Sequence, residues 1–207
     1  MVNLADIGME KGKQYETIVS THDVNNVKNA APIGIICSGN DTVVCRIFKG
    51  GKTLENILST KKFIINITHD AELFLMSTIG NLPQDYFNSD NSIKNVNAYG
   101  ECEVISFKEA KKQSDPVKKK GEAIVIKSKV CELIINDEIH ALNRGFGNVI
   151  ESLSNLTRID LVEEKQKEVY INRFKEAMRV TTKVGYKDDI KAMGEIKKEL
   201  IKKGFDL

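Results

Sequence analysis

The sequence predicts an α+β protein dominated by a β-barrel-like body and followed by a helical C-terminal part. Two observations predict this. Up to about residue 135, apolar residues alternate with polar ones or form short apolar runs bounded by Gly, Asn and Asp; from about His140, they recur every three to four residues. The switch of period divides the chain into a body of residues 1–136 and a helical subdomain of residues 137–207. No internal repeat or low-complexity tract interrupts either part.

In chain order, Gln14–Thr21 alternates polar and β-branched residues, as a half-buried strand does. The turn-rich segment 23–29 leads into Ala31–Cys37, whose nearly unbroken apolar run predicts a strand buried on both faces. Ser38-Gly39-Asn40-Asp41 predicts a hairpin turn into a third strand, Thr42–Phe48. Leu54, Ile57 and Leu58 share one helical face, and Phe63–Ile67 reads as a further strand. Asp70 suits the N-cap of a second short helix carrying Leu73, Phe74, Met76 and Ile79. Pro83 and residues 88–91 mark a loop. Two β stretches follow near 98–107 and 123–135, separated by a basic helix or loop with Lys111, Lys112, Lys118, Lys119 and Lys120. Leu142, Phe146, Val149, Ile150, Leu153 and Leu156 form the apolar face of a first long helix. A second carries Phe174, Ala177 and Val184 and stops at Gly185; a third carries Met193, Ile196 and Leu200.

Composition narrows the function. Hydrophobic residues make up 41% and charged residues 29%, and the formal net charge is only +2, so no bulk field draws the chain to nucleic acid or anionic membrane. No interleaved aromatics accompany the lysine run, which reads as a solvated face rather than a nucleic-acid surface. No apolar stretch reaches the roughly 20 residues of a bilayer span, and the start lacks a signal-peptide layout, so the expected location is the cytoplasm. Cys37, Cys45, Cys102 and Cys131 are widely spaced, without a zinc pattern, and are expected as reduced, mostly buried thiols. The same spacing argument sets aside a metal at His22, His69 and His140.

The most informative segment is Arg46–Asn56. Lys49-Gly50-Gly51-Lys52-Thr53 joins a strand to a helix. Glycines permit a tight turn and close approach of a ligand, while the first helical N–H groups lack intrahelical partners. The helix dipole adds roughly half a positive charge there. Arg46, Lys49 and Lys52 contribute full charges and Thr53 a hydroxyl, which together suit a phosphate. The alternative is a solvated basic turn in which Thr53 caps the helix. The P-loop of nucleotide hydrolases matches at Gly51-Lys52-Thr53, but its first glycine falls on Arg46, whose side chain would fill the space for the β-phosphate.

Asn29-Ala30-Ala31-Pro32-Ile33-Gly34, then Arg46-x-Phe48-x-Gly50-Gly51-x-Thr53-x-x-Asn56, then Phe63-x-x-Asn66 resembles the FMN-binding split-barrel superfamily, the flavin-reductase-like group. More narrowly, the chain resembles a largely archaeal family of flavin-binding split barrels with a helical C-terminal extension; residues 143–159 resemble its helical portion. The resemblance implies an antiparallel, Greek-key-like split barrel, FMN as cofactor, and a homodimer with FMN near its interface. It implies that Arg46, Lys49, Gly50, Gly51, Lys52 and Thr53 hold the phosphate, that Asn56 supports that loop or reaches the ligand, and that Ala31, Pro32, Ile33 and Gly34 lie along the isoalloxazine ring. Asn29 and Asn66 are candidates for polar contacts, with backbone bonding at turn and strand end as the equal alternative. Gly51 and Lys52 stand where relatives often carry polar residues such as Ser.

The implied activity is that of a flavin-dependent oxidoreductase or electron carrier, similar to NAD(P)H:flavin reductases. A non-catalytic flavin-binding or storage module and a deazaflavin-dependent oxidoreductase are the alternatives. The absence of a Ser/His/Asp or Cys/His constellation accords with chemistry carried by a cofactor. His69 is a candidate for substrate handling. Arg144 and Arg158 are expected to pair with Glu151 or Asp160, or to reach a partner subunit.

Overall fold

The computed structural model describes residues 1–79, 82–111 and 122–207. Most of the expected basic segment between the last two strands, residues 112–121, lies outside them. The strands are β1 (Gln14–His22), β2 (Lys28–Cys37), β3 (Thr42–Phe48), β4 (Lys62–Ile67), β5 (Ala98–Lys111) and β6 (Glu122–Ile135). They close an antiparallel barrel in the order β1-β2-β3-β6-β5-β4, with β4 returning to β1. Helix α1 (Lys52–Thr60) follows β3, and α2 (Ala71–Ile79) follows β4. The helical part comprises α3 (Gly145–Arg158), α4 (Glu164–Val184) and α5 (Lys187–Lys202).

The barrel interior is filled by alternate residues of its strands, among them Tyr15, Val19, Ile35, Cys45, Ile65 and Ile126. Leu54 and Ile57 of α1 join this core. Burying two such side chains supplies roughly 1.5–3 kcal/mol each, enough to fix a nine-residue helix that would not persist alone in water. A second apolar cluster joins Ile18 and Ala30 to Leu73 of α2 and to Leu82, Phe87, Ile93 and Val96 in the segment before β5. Asp70 caps α2 as expected, its Oδ1 accepting from the backbone N–H groups of Glu72 (2.9 Å) and Leu73 (3.0 Å).

Strand β2 differs from its expectation. It is not buried on both faces: Ala31, Pro32, Ile33 and Gly34 are half-buried, and Ile36 is exposed. Register explains the difference. Along its whole length β2 pairs with β1, but it pairs with β3 only at Ile35↔Cys45, Ile36↔Val44 and Cys37↔Val43. Beyond that point β3 continues on β6 through Phe48↔Ala123. Residues 28–34 of β2 therefore have no strand on their β3 side among the described residues, and the barrel is split there.

By contacts the chain divides into Met1–Leu142 and Asn143–Leu207. The expected boundary after residue 136, and the helical placement of Leu142, are revised by the backbone bonds of this stretch. Ala141 N donates to Ile7 O (2.8 Å), Glu16 N donates to Leu142 O (2.8 Å), and Ile139 and Ala141 are buried in the barrel core. Within the helical unit, Val149, Ile159, Ile171, Phe174, Met193, Ile196 and Leu200 form the core. Gly185 ends α4, though its φ of −69° is ordinary. It is required by space, since a Cβ there would stand 2.8 Å from the Thr181 carbonyl oxygen.

The four cysteines are free thiols: Cys37, Cys45 and Cys102 are buried and Cys131 is exposed. Burial pushes the Cys45 thiol up to about 12 and raises Cys102 further from ionisation. Cys131 is raised above 9.0 chiefly by partial desolvation and then by the neighbouring Glu103 carboxylate. Because the thiolate is the reactive form, native protein should show one accessible thiol toward an aromatic disulfide, with a rate still climbing as pH rises past 9. That reaction should vanish in Cys131→Ser. A second fast thiol in that variant would contradict the burial of the other three.

Candidate functional site

The segment between β3 and α1 has backbone geometry of a kind that suits an anion. Gly50 has φ +93°, which glycine adopts without steric cost. Gly51 is the N-cap of α1 in extended conformation (φ −119°, ψ 147°), and no side chain caps the helix. A Cβ added at either glycine would meet nothing within 4 Å, so the loop faces open space. The first N–H groups of α1 thus point out of a helix end with no side-chain acceptor, next to Lys52, which is exposed.

Behind the loop lies a small polar network. Thr53 is buried and is not a cap; its hydroxyl accepts from Asn29 Nδ2 at 3.0 Å. Asn56, also buried, donates from Nδ2 to the Thr21 hydroxyl at 3.0 Å, and Asn29 Nδ2 lies 3.5 Å from the same oxygen. The network ties the ends of β1 and β2 to the first turns of α1. Beside it is a cleft of about 300 Å³ bordered by Asp23, Lys28, Asn29, Lys52, Asn56 and Gln84. Thr21 is the residue that sequence reasoning missed. A signal was present: Thr21 follows Thr17 and Val19 on the core-facing side of β1, where a buried hydroxyl at a strand end needs a polar partner.

The other expected residues divide. Asn29, Lys52, Thr53 and Asn56 come together around the cleft and its network, adjoining Gly50 and Gly51. The Lys49 ammonium is engaged by Glu122 (2.8 Å) and Glu109 (3.0 Å), and these carboxylates raise its pKa. Arg46 is half-buried on the face of β3 away from the core, its guanidinium carbon 5.0 Å from the centre of the Phe48 ring. Asn66 is fully buried and committed within the barrel. Its Nδ2 donates to Ile18 O and to the Ser20 hydroxyl, both at 2.9 Å, and its Oδ1 accepts from Ile93 N at 2.8 Å. Asn66 is therefore a strut that pins β4 to β1 and to the loop at Ile93, not a ligand contact.

Ala31, Pro32, Ile33 and Gly34 occupy the unpaired part of β2. Strand alternation turns Ala31 and Ile33 to one face and Pro32 and Gly34 to the other, so the four share only the open backbone edge. A flat ligand could meet all four only along that edge. Gly34 lies beneath Gln14, whose Nε2 would be 2.4 Å from an added Cβ.

His69 Nε2 lies 2.9 Å from His140 O, and His22 Nδ1 lies 2.9 Å from Asp23 O, so each ring contacts a main-chain carbonyl. Asp160 pairs with Lys203 rather than with either arginine named above. Among the described residues no three His, Cys, Asp or Glu side chains converge as metal ligands, and no helix is long and apolar enough to cross a membrane.

The fold is that of a closed six-stranded antiparallel barrel, split beside an uncapped helix end, with a unit of three helices after it in the chain. The chain belongs to the DUF447 family: the family's N-terminal domain model matches residues 15–132, and its second model, described as protein of unknown function (DUF447), matches residues 143–198. An FMN-bound DUF447-family protein from Methanosarcina mazei is similar in structure, with 28% identity and a TM-score of 0.53, over 95% of this chain and 100% of that one. The flavin reductase of styrene monooxygenase from Pseudomonas putida S12 aligns at 11% identity and TM-score 0.48, over 65% of this chain and 87% of its own. Nitrilotriacetate monooxygenase component B from Bacillus cereus aligns at 10% and 0.47, over 70% and 81%.

Replacing Asn66 by Ala would strand a buried carbonyl and a buried N–H, so Asn66→Ala should lose roughly 2–4 kcal/mol of folding stability in urea titration. A change within 0.5 kcal/mol would remove its role as a strut. Thr21→Val should cost about 1–2 kcal/mol by orphaning the Asn56 amide, and the same titration checks it.

Proposed function

We propose that this protein binds FMN at the split between β2 and β3 and acts as a flavin-dependent oxidoreductase or electron carrier. The observation that carries the reading is the meeting of two open backbone features. The Gln84 side chain takes up the N–H and carbonyl of Lys28 (both 3.0 Å), but beyond it the edge of β2 at residues 30–34 lacks a strand partner, and the uncapped N-terminus of α1 follows a glycine loop open to solvent. The first offers main-chain donors and acceptors to the amide-like edge of a flat ring, and the second offers N–H groups to a phosphate. The FMN-bound state of the Methanosarcina mazei family member supports the choice of ligand.

In this reading Gly50 and Gly51 leave room for the phosphate, which the N-terminal N–H groups of α1 and the Lys52 ammonium hold. Arg46 adds a long-range positive potential, and Lys49, neutralised by two glutamates, contributes little. The Asn29–Thr53 and Asn56–Thr21 bonds keep α1 in register with β1 and β2 so that the loop stays open. When bound, FMN supplies the redox chemistry, exchanging a hydride or electrons with a donor and an acceptor. The protein's share is position and charge. A homodimer with FMN near its interface belongs to the same proposal, supported by the apolar side chains of Ile36 and Phe48 left exposed on this part of the barrel.

The visible spectrum of purified protein, before and after adding FMN and desalting, tests the reading. Retained oxidised-flavin bands are expected, and a spectrum that stays blank after FMN addition overturns it. Given binding, reduction by NADPH or NADH with turnover separates an oxidoreductase from a module that only stores flavin. Lys52→Ala should weaken FMN by roughly 1.5–3 kcal/mol, the contribution of one hydrogen bond to a charged group. The variant should also bind FMN and riboflavin more nearly alike, and an unchanged preference for FMN in competition titrations would move the phosphate elsewhere.

A further inference from the structure

Lys49 stands where β3 ends on β6, one residue before the loop glycines. Its backbone N–H donates to Glu122 O (3.0 Å), which continues the ladder one step past Phe48↔Ala123. Gly50 then turns the chain with φ +93°, and Gly51 is the N-cap of α1. The backbone of Lys49 is thus tied to the barrel rim, while its side chain has a long flexible stem with which to choose a partner.

The partners it has come from the ribbon of β5 and β6. The ammonium donates to Glu122 Oε2 at 2.8 Å and to Glu109 Oε1 at 3.0 Å. Glu109 pairs with Ile124, and Glu122 precedes Ile124 by two residues, so the two carboxylates are diagonal neighbours on one face of the ribbon. Like charges so placed repel each other, and the ammonium between them relieves that repulsion.

These pairs hold the lysine without trapping it. The side chains of Lys49, Glu109 and Glu122 are 39%, 68% and 52% exposed, and ion pairs so open to water are weak. A phosphate at the start of α1 would offer Lys49 a comparable or greater charge. The space for it is there, since a Cβ at Gly50 or Gly51 would meet nothing within 4 Å. The same two carboxylates would oppose the phosphate, by occupying Lys49 and by their own charge.

We propose that Glu109 and Glu122 determine the preference of the barrel site for phosphorylated over unphosphorylated flavin, by competing with the phosphate for Lys49. The inference rests on the FMN reading above and adds two specificity-determining residues to it. With the acids in place Lys49 is held back on the ribbon; with them neutralised it turns to the loop. Riboflavin has no phosphate, so its binding does not register the competition.

Fluorescence titrations of FMN and riboflavin with the full chain, at constant low ionic strength, test this. Glu109→Gln combined with Glu122→Gln should tighten FMN roughly threefold to tenfold, the scale of one exposed charged contact, and leave riboflavin within about twofold. Lys49→Met alone should change FMN binding little. Added to the double variant, it should remove most of the gain. An FMN affinity unmoved by the double change overturns the proposal. A gain that survives Lys49→Met also overturns it, because the acids would then act only as repulsive charges. Riboflavin tightening as much as FMN does the same, since an altered ribbon and not the phosphate would be responsible. In all three cases the parent protein still binds FMN; a parent protein that takes up no FMN overturns the underlying reading instead.

Discussion

Strand β2 borders two neighbours and completes a ladder with only one of them. It follows β1 throughout, but leaves β3 once past Ile35, because β3 stays with β6 to its end. Ile35 and Cys37 hold the paired end in the core, whereas the half-buried Ala31–Gly34 stretch supplies little apolar burial to pull the strands together. The rest of the site depends on this parting. An open strand edge is ordinarily a liability. Here it lies beside a helix end that is also left unsatisfied, and both features can be met by one ligand with a flat polar ring and a phosphate.

Rigidity around the opening comes from groups that are fully satisfied. Asn66 uses three hydrogen bonds to lock β4, β1 and the loop at Ile93, and Leu54 and Ile57 anchor α1 in the barrel core. Asn29, Thr53, Asn56 and Thr21 then fix the helix start relative to β1 and β2. Preorganised main-chain groups lose little freedom when they take up a ligand, which favours binding through the backbone rather than through long side chains. The engagement of Lys49 by Glu109 and Glu122 fits the same division of labour.

The helical unit shows the opposite arrangement. Its core of Val149, Ile159, Ile171, Phe174, Met193, Ile196 and Leu200 is apolar, and its close approaches are made at Gly145, where a Cβ would stand 2.6 Å from the Gly185 Cα, and at Gly185, where it would collide with Thr181 one turn earlier. The Asp189 carboxylate accepts from Tyr186 N at 2.8 Å and so starts α5. Against that ordered background, the unsatisfied Ser152 and Asn148 stand out as departures from good packing.

Period and turn chemistry made the element order legible in the sequence. Alternation in Gln14–Thr21, the caps at Asp70 and Gly185, and the three-to-four spacing from Phe146 onward are local properties, set by backbone geometry within a few residues. The glycine loop at Gly50-Gly51 could likewise be seen as a helix entrance suited to an anion. Which polar residues face that entrance could not be read locally. Lys49 and Lys52 look equivalent in sequence, yet cross-strand register gives Lys49 two carboxylate partners and leaves Lys52 at the helix start. Asn29 and Asn66 look alike too, and only strand pairing sends one to Thr53 and buries the other as a strut. The apolar run Ala31–Cys37 predicted full burial because hydrophobicity reports what a strand could bury, not whether a neighbour arrives to cover it. The sequence by itself determined the elements and the phosphate-suited turn. The tertiary structure alone decided where β2 and β3 part, because register is a relation between segments distant along the chain, and it was this parting that made an opening.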